Sequence, residues 1–321
     1  TVPQINFSVA GTHSQNTNTE EINMSLPNFN ASVARIFPFE PKIGAKKGII
    51  ENINLQYNLT AENRIKTTDS EFFTSKMFDG AKLGARHTIP ISTNFKVLKY
   101  LSSSLSTTYQ ETWVFDTVKK DYDPSINNGE GGVVKDTISG FDSYRTYNFS
   151  ANLGTTMYGM FNFGKDKKIQ AIRHVFRPSV SYNINPSYEH FYDSYQDPNA
   201  IDENIEYSRF EQSLYGAPSK VRSSNVGISV SNTFEAKVRD RDTTAIKPKK
   251  IVLLNNLNFN TAYNILGDSL NWNPIRFSGS VPIVKKLDFN FNGTLDPYAL
   301  DNNNVRIDKF NINNGGSLFR L

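Results

Sequence analysis

The sequence predicts an all-β fold: a transmembrane, antiparallel, up-and-down β-barrel, with about twelve strands in this chain. Three observations point there. Apolar and polar residues alternate over unusually long runs. The polar positions are mostly uncharged. Long and short links between the runs follow one another in turn.

The alternation has period two. Ile53, Leu55, Tyr57 and Leu59 alternate with Asn54, Gln56, Asn58 and Thr60. Leu83, Ala85, Ile89, Ile91, Phe95 and Val97 share one parity, while Gly84, Arg86, Thr88, Ser92, Asn94 and Lys96 share the other. Leu101, Leu105, Tyr109, Trp113 and Phe115 oppose Ser102, Ser104, Ser106, Thr108, Gln110 and Thr112. The pattern recurs at 147–153, 226–238, 257–265 and 287–295. Successive side chains of a strand point to opposite faces, so each run has one apolar and one polar face. Strands of soluble sheets average about 5–6 residues, whereas a tilted membrane strand needs ~9–11. A soluble sheet would also carry Lys and Glu on its wet face. Here that parity is Asn, Ser, Thr, Gln and Gly, which suits a hydrated lumen.

Weaker strands are expected near 4–14, 21–36, 171–184, 273–283 and 304–320. At Pro27 the parity shifts from Ile22, Met24 and Leu26 to Phe29, Ala31 and Val33, which predicts a bulge. The links at 63–80, 117–139 and 185–224 read as long, and those at 98–101 and 164–168 as short. An up-and-down barrel with long loops outside and short turns in the periplasm produces that sequence of links. The strands are not expected to close on themselves, leaving residues 5–13 and 307–319 as unpaired edges.

Composition narrows the class further. The 321 residues begin Thr-Val-Pro-Gln and are expected to form a single domain, 1–321, of the barrel. No apolar run approaches the ~18 residues of a membrane helix; Ile251-Val252-Leu253-Leu254 is among the longest. Cysteine is absent, which removes disulfides and thiol chemistry. The net charge of +4 comes from mixed charges, so no nucleic-acid partner is expected.

The search for chemistry yields no catalytic, cofactor-binding or metal-binding residue. His13, His87, His174 and His190 lack metal-ligand spacing, and His87 sits on an apolar parity. Asp202, Glu203 and Glu206 cluster without the spacing of a calcium loop and read as solvated loop acids. Glu111, an acid on an apolar parity, reads as interfacial. No phosphate loop or nucleophile elbow occurs. The chain is therefore not expected to be an enzyme or to carry a cofactor.

Several segments resemble the lipopolysaccharide-assembly outer-membrane family LptD, in its Bacteroidota branch. They are Ser25-Leu26-Pro27 with Arg35-Ile36-Phe37-Pro38-Phe39, Arg86-His87-Thr88-Ile89-Pro90-Ile91-Ser92, Tyr109-Gln110-Glu111-Thr112-Trp113 and Thr156-Met157-Tyr158-Gly159. Further on come the most specific stretch, Ile172-Arg173-His174-Val175-Phe176-Arg177-Pro178-Ser179-Val180-Ser181-Tyr182, then Tyr263-Asn264, Asp268-Ser269-Leu270 and Asp296-Pro297-Tyr298.

The resemblance implies a barrel of about 26 strands, preceded by a periplasmic jellyroll that is absent from this chain. It implies an LptE-like plug lipoprotein in the lumen, periplasmic lipopolysaccharide bridge proteins, and contact with lipopolysaccharide and outer-membrane lipids. The implied function is lipopolysaccharide transport and insertion into the outer leaflet, at a multi-pass outer-membrane location. Neither pattern nor resemblance assigns lipopolysaccharide-binding residues. The alternative is a general channel or porin, or the barrel scaffold of another secretion or uptake system.

Overall fold

The computed structural model describes residues 3–164, 166–200, 204–239, 248–284 and 287–321. Its alternating runs form long strands: β1 (Ile5–Asn16), β2 (Glu21–Ile36), β3 (Asn54–Thr68), β4 (Lys82–Val97), β5 (Leu101–Asp123), β6 (Gly132–Gly154), β7 (Met157–Asn162) and β8 (Ile169–Asn185). After two short strands, β9 (Tyr192–Gln196) and β10 (Asn204–Ser208), come β11 (Ser223–Val238), β12 (Lys249–Asn264), β13 (Ile275–Val284) and β14 (Leu287–Leu295). Last are β15 (Tyr298–Leu300) and β16 (Arg306–Phe310). One sheet runs β1-β2-β3-β4-β5-β6-β8-β11-β12-β13-β14, with β7 also on β8. Neighbouring long strands follow chain order, as an up-and-down meander requires. β1 and β14 stand at the two ends of the strand order.

Strand length follows from the sustained alternation. β5 and β6 each have 23 residues, several times the usual soluble length. β6 and β7 act as one interrupted strand against β8. Met157↔Phe176 to Asn162↔Ala171 pair directly, and the bond from Thr155 N–H to the Pro178 carbonyl carries the same line onward at 3.2 Å. The bulge at Pro27 is present. The β2–β3 register shifts between Ser25/Asn28, so one extra residue in β2 turns its side chains over and restores an apolar outward face.

The chain falls into two compact units. The first comprises residues 1–93, 106–149 and 185–222. Its small core is Val114, Tyr144 and Phe210, with Phe191 against it. The second comprises 94–105, 150–184 and 223–321. Its most buried side chains include Ala171 and Val175 of β8, Ala236 of β11, and Tyr298 and Ala299 of β15. In this unit Phe277 pairs with Gly293 and Gly279 with Phe291 across β13 and β14.

Three expectations about boundaries are corrected. β3 continues to Thr68 and β5 to Asp123, and β6 begins at Gly132. The links are therefore 69–81 and 124–131, not 63–80 and 117–139. Asn63, Arg64, Lys66, Lys119, Lys120 and Asp121 break the apolar signal, but backbone pairing continues through them because a ladder needs only N–H and C=O groups. The link 69–81 holds a short helix, α1 (Ser75–Asp79). The third correction is at the end of the chain: residues 304–320 do not form a strand of the main sheet. Asp296 is ion-paired with Arg306 and Arg320 at 3.0 and 3.1 Å, and Asn311–Asn314 turn the chain at Gly315, whose φ is 80°. β16 consequently folds back on β15.

Candidate functional site

In an up-and-down barrel the polar parity lines the lumen, so the candidate site lies on that face. In the first unit it is covered. Link 186–222, expected as a solvated loop, carries β9 and β10 as a small antiparallel sheet and then lies over the polar parity of β3–β6. Phe210 is fully buried beside Val114 and Tyr144, and its ring lies 4.8 Å from that of Tyr144. Thr112 of β5, on the same parity, is also fully buried.

Polar contacts fix the cover at several points. Arg209 Nε–H donates to Asp142 at 2.8 Å, and the Arg209 carbonyl accepts from Val118 N–H at 2.9 Å. The Tyr144 hydroxyl donates to the Gly216 carbonyl at 2.8 Å. The Tyr192 hydroxyl donates to Pro218, also at 2.8 Å. Tyr188 is bound on both sides: its hydroxyl donates to the Tyr147 carbonyl and accepts from Tyr147 N–H, each at 2.5 Å. Backbone carbonyls are obligatory acceptors, and these phenols satisfy two of the link, Gly216 and Pro218, and one of β6, Tyr147.

The tip of the cover is Leu214-Tyr215. A side chain at Gly84 of β4 would meet Tyr215 at 3.1 Å and Leu214 at 3.3 Å, so the bare glycine makes their approach possible. Arg86 lies over the Tyr215 ring, 4.2 Å from its centroid, and the Tyr215 hydroxyl donates to the Thr60 carbonyl at 3.1 Å. Burial pushes the Tyr215 phenol pKa up, against the pull of Arg86. Burial likewise raises that of Tyr188. A cavity of about 270 Å³ remains under the cover, lined by Arg86, Gln110, Tyr144, Asn148, Tyr188 and Tyr215, among others.

In the second unit the polar parity is open. Asn152, Asn260, Asn290, Asn292 and Thr294 are exposed. Ser150 Oγ donates to Asn183 at 2.8 Å and Ser229 Oγ to Asn260 at 2.7 Å. Charge on this face comprises the paired Arg173 and Glu235, Arg276 of β13, which stands between Asn260 and Thr294, and Asp288 of β14 opposite Pro282. Between these charges the face offers mostly neutral hydrogen-bonding groups over several adjacent strands.

The residues singled out by sequence are dispersed. His13 meets the edge of Phe72, His87 bonds Tyr57 through Nδ1 at 2.7 Å, and His174 stacks on Phe234 at 4.3 Å. His190 packs on Phe191 at 4.0 Å. Among the described residues no group of three His, Cys, Asp or Glu could hold a metal. Asp202 and Glu203 lie outside the described residues, and Glu206 pairs with Lys220. Glu111 joins an outward cluster. It accepts from the Tyr109 hydroxyl at 2.9 Å and Trp113 Nε1 at 3.0 Å, and it faces Arg145 at 3.4 Å. Sequence reasoning missed the cover itself. Its signal was present in the aromatics of link 186–222, which a solvated loop would not need.

Long antiparallel strands with one apolar and one largely neutral face define a β-barrel of outer-membrane type, here in part. The particular family follows from comparison. The family model described as LptD protein matches residues 1–298, and the chain belongs to that family. The family is one of outer-membrane transport and assembly proteins. No curated protein and no solved structure matches the chain.

Proposed function

We propose that this chain is a membrane-spanning part of an outer-membrane translocon that carries lipopolysaccharide from the periplasm and inserts it into the outer leaflet. The observation that carries the reading is the family match over residues 1–298, on a sheet whose strands are long enough to cross an outer membrane. The chain acts within one larger barrel domain of about 26 strands. An LptE-like lipoprotein plugs the lumen and rests on the open neutral face that includes Asn152, Asn260 and Asn292. Periplasmic bridge proteins deliver the lipid. The role of the residues is mechanical and electrostatic, not catalytic.

A neutral face suits a protein plug, because paired amides and hydroxyls can be buried without stranding a charge. In a general porin, rings of charge would more often line the constriction.

Reconstitution tests the reading. The full barrel with its plug lipoprotein, placed in liposomes and supplied with lipopolysaccharide by the bridge proteins, should transfer the lipid to the far leaflet. Solute conductance without lipid transfer would support the channel reading instead.

A further inference from the structure

Among the described residues, the outward face of the first unit carries one ion pair, and its setting assigns it a ligand. Glu111 of β5 and Arg145 of β6 sit on the apolar parity of their strands, among Tyr109, Trp113, Phe141 and Tyr147. Trp113 also lies 4.2 Å from the ring of His87 and 5.7 Å from that of Phe141. A charged side chain on a lipid-facing strand is costly at mid-membrane and nearly free at the interface. Glu111 stands about ten residues along β5 from its start at Leu101, roughly the length needed to cross the apolar layer. The surrounding Trp and Tyr are the residues that collect at headgroup level. The cluster therefore marks the membrane boundary at the end of β5 remote from the 98–100 turn.

The two charges of the cluster are not equivalent. Glu111 is sunk among the rings, its side chain 22% exposed, and accepts from Tyr109 and Trp113 as well as facing Arg145. Arg145 is 64% exposed and reaches Glu111 only through contacts of 3.4 and 3.5 Å. Most of its guanidinium donors therefore point away from the protein. Phe141 and Tyr147, both more than half exposed, flank it on the same face of β6. The result is an exposed planar cation facing a half-buried acid, with Tyr147 two residues and Phe141 four residues away along the same face of β6, at the depth of the headgroups.

We propose that Arg145 binds the phosphate of a membrane lipid, with Glu111 as its positioning residue and Phe141 and Tyr147 against the upper part of the acyl chains. A guanidinium fork matches phosphate oxygens in bidentate fashion, which a lysine cannot reproduce. The phosphate can be borne by a glycerophospholipid or by the phosphorylated sugar of lipid A. The proposal rests on the membrane setting of the family and on no step of the transport reading.

Native mass spectrometry of the complete barrel with its plug lipoprotein tests it, with phosphatidylglycerol, lipid A or phosphate-free diacylglycerol added in turn; the last should be retained equally by wild type and Arg145→Gln. Wild-type protein should retain at least one of the two phosphate-monoanionic or bisphosphorylated lipids about tenfold better than Arg145→Gln, the effect of losing charge-assisted hydrogen bonds. Arg145→Lys should fall between them. Glu111→Gln should weaken retention while leaving heat-modifiable mobility on gels intact, which separates positioning from folding. Retention of phosphatidylglycerol alone supports a glycerophospholipid, and of lipid A alone a sugar phosphate. Equal retention of both lipids by wild type and a folded Arg145→Gln protein would overturn the proposal, whether or not the complex transports lipopolysaccharide.

Discussion

Arg86 of β4 and Tyr215 of link 186–222 are in face-on contact, with the guanidinium 4.2 Å from the ring centroid. The pair ties the tip of the cover to the polar face of the sheet. The ring also closes over Gly84, and its hydroxyl reaches Thr60 on the next strand. Cation–π contact and a hydrogen bond each contribute about 0.5–1.5 kcal/mol in such a setting. Tyr215→Ala should release the tip, and Tyr215→Phe, which keeps the ring, should do so less. Hydrogen exchange of amides 209–220 in the intact barrel measures this. Unchanged protection in Tyr215→Ala would show that the tip is held elsewhere.

Alkaline pH should loosen the same cover. Burial raises the phenol pKa of Tyr188 and of Tyr215 in the folded protein. Their contribution is complete below the ordinary phenol value of about 10. It is lost as pH rises from there through the higher folded values, because the released link ionises more readily than the bound one. Protection of the link's amides, taken relative to their intrinsic base-catalysed exchange, should fall above about pH 10. Tyr188→Phe with Tyr215→Phe should flatten the dependence. A loss of protection that persists in that double variant would assign it to other groups.

On the outward face, Gly279 and Phe291 are directly paired across β13 and β14. A methyl group on Gly279 would come within 2.4 Å of the tip of the Phe291 ring, and one on Gly293 would meet Phe277 in the same way. Each phenyl ring therefore lies flat over a glycine. Gly279→Ala must displace the ring, at about 1–3 kcal/mol for overpacking. The variant should unfold at lower denaturant concentration than wild type, and Gly279→Ala with Phe291→Leu should recover part of the loss. Equal midpoints for wild type and Gly279→Ala would show that the ring moves freely.

Sidedness can be read with single cysteines, because the chain has no native one. The short turns at 98–100 and 163–168 should face the periplasm, and the links 69–81, 124–131 and 186–222 the exterior. Asn128→Cys on intact cells should react with an impermeant thiol reagent, and Lys167→Cys should be protected. The reverse result would invert the topology. Strand parity also places the links 40–47 and 239–250 on the periplasmic side; with 163–168 they carry Lys42, Lys46, Lys47, Lys167, Lys168 and Arg239, while Lys249 and Lys250 open β12 and Lys165, Arg241 and Lys247 lie outside the described residues. A basic rim would draw anionic lipopolysaccharide by long-range attraction. That attraction predicts a transfer rate that falls as salt is raised.

The sequence by itself determined the strands, their two faces and the bulge at Pro27, because a period-two alternation is a local property and each residue's parity is set by its immediate neighbours. It also exposed the family, through stretches such as Arg173–Tyr182 that keep their order along the chain. The tertiary structure alone decided where the strands stop, since β5 runs on through Lys119, Lys120 and Asp121 by backbone pairing that side chains do not announce. It alone folded β16 back on β15, through the charges around Asp296. It alone laid link 186–222 across the polar face. The partners that hold that link, Tyr215 and Thr60 among them, are as much as 155 residues apart in the chain. Contacts at such separation leave no periodicity in the sequence, and they form only when the sheet has brought its strands together.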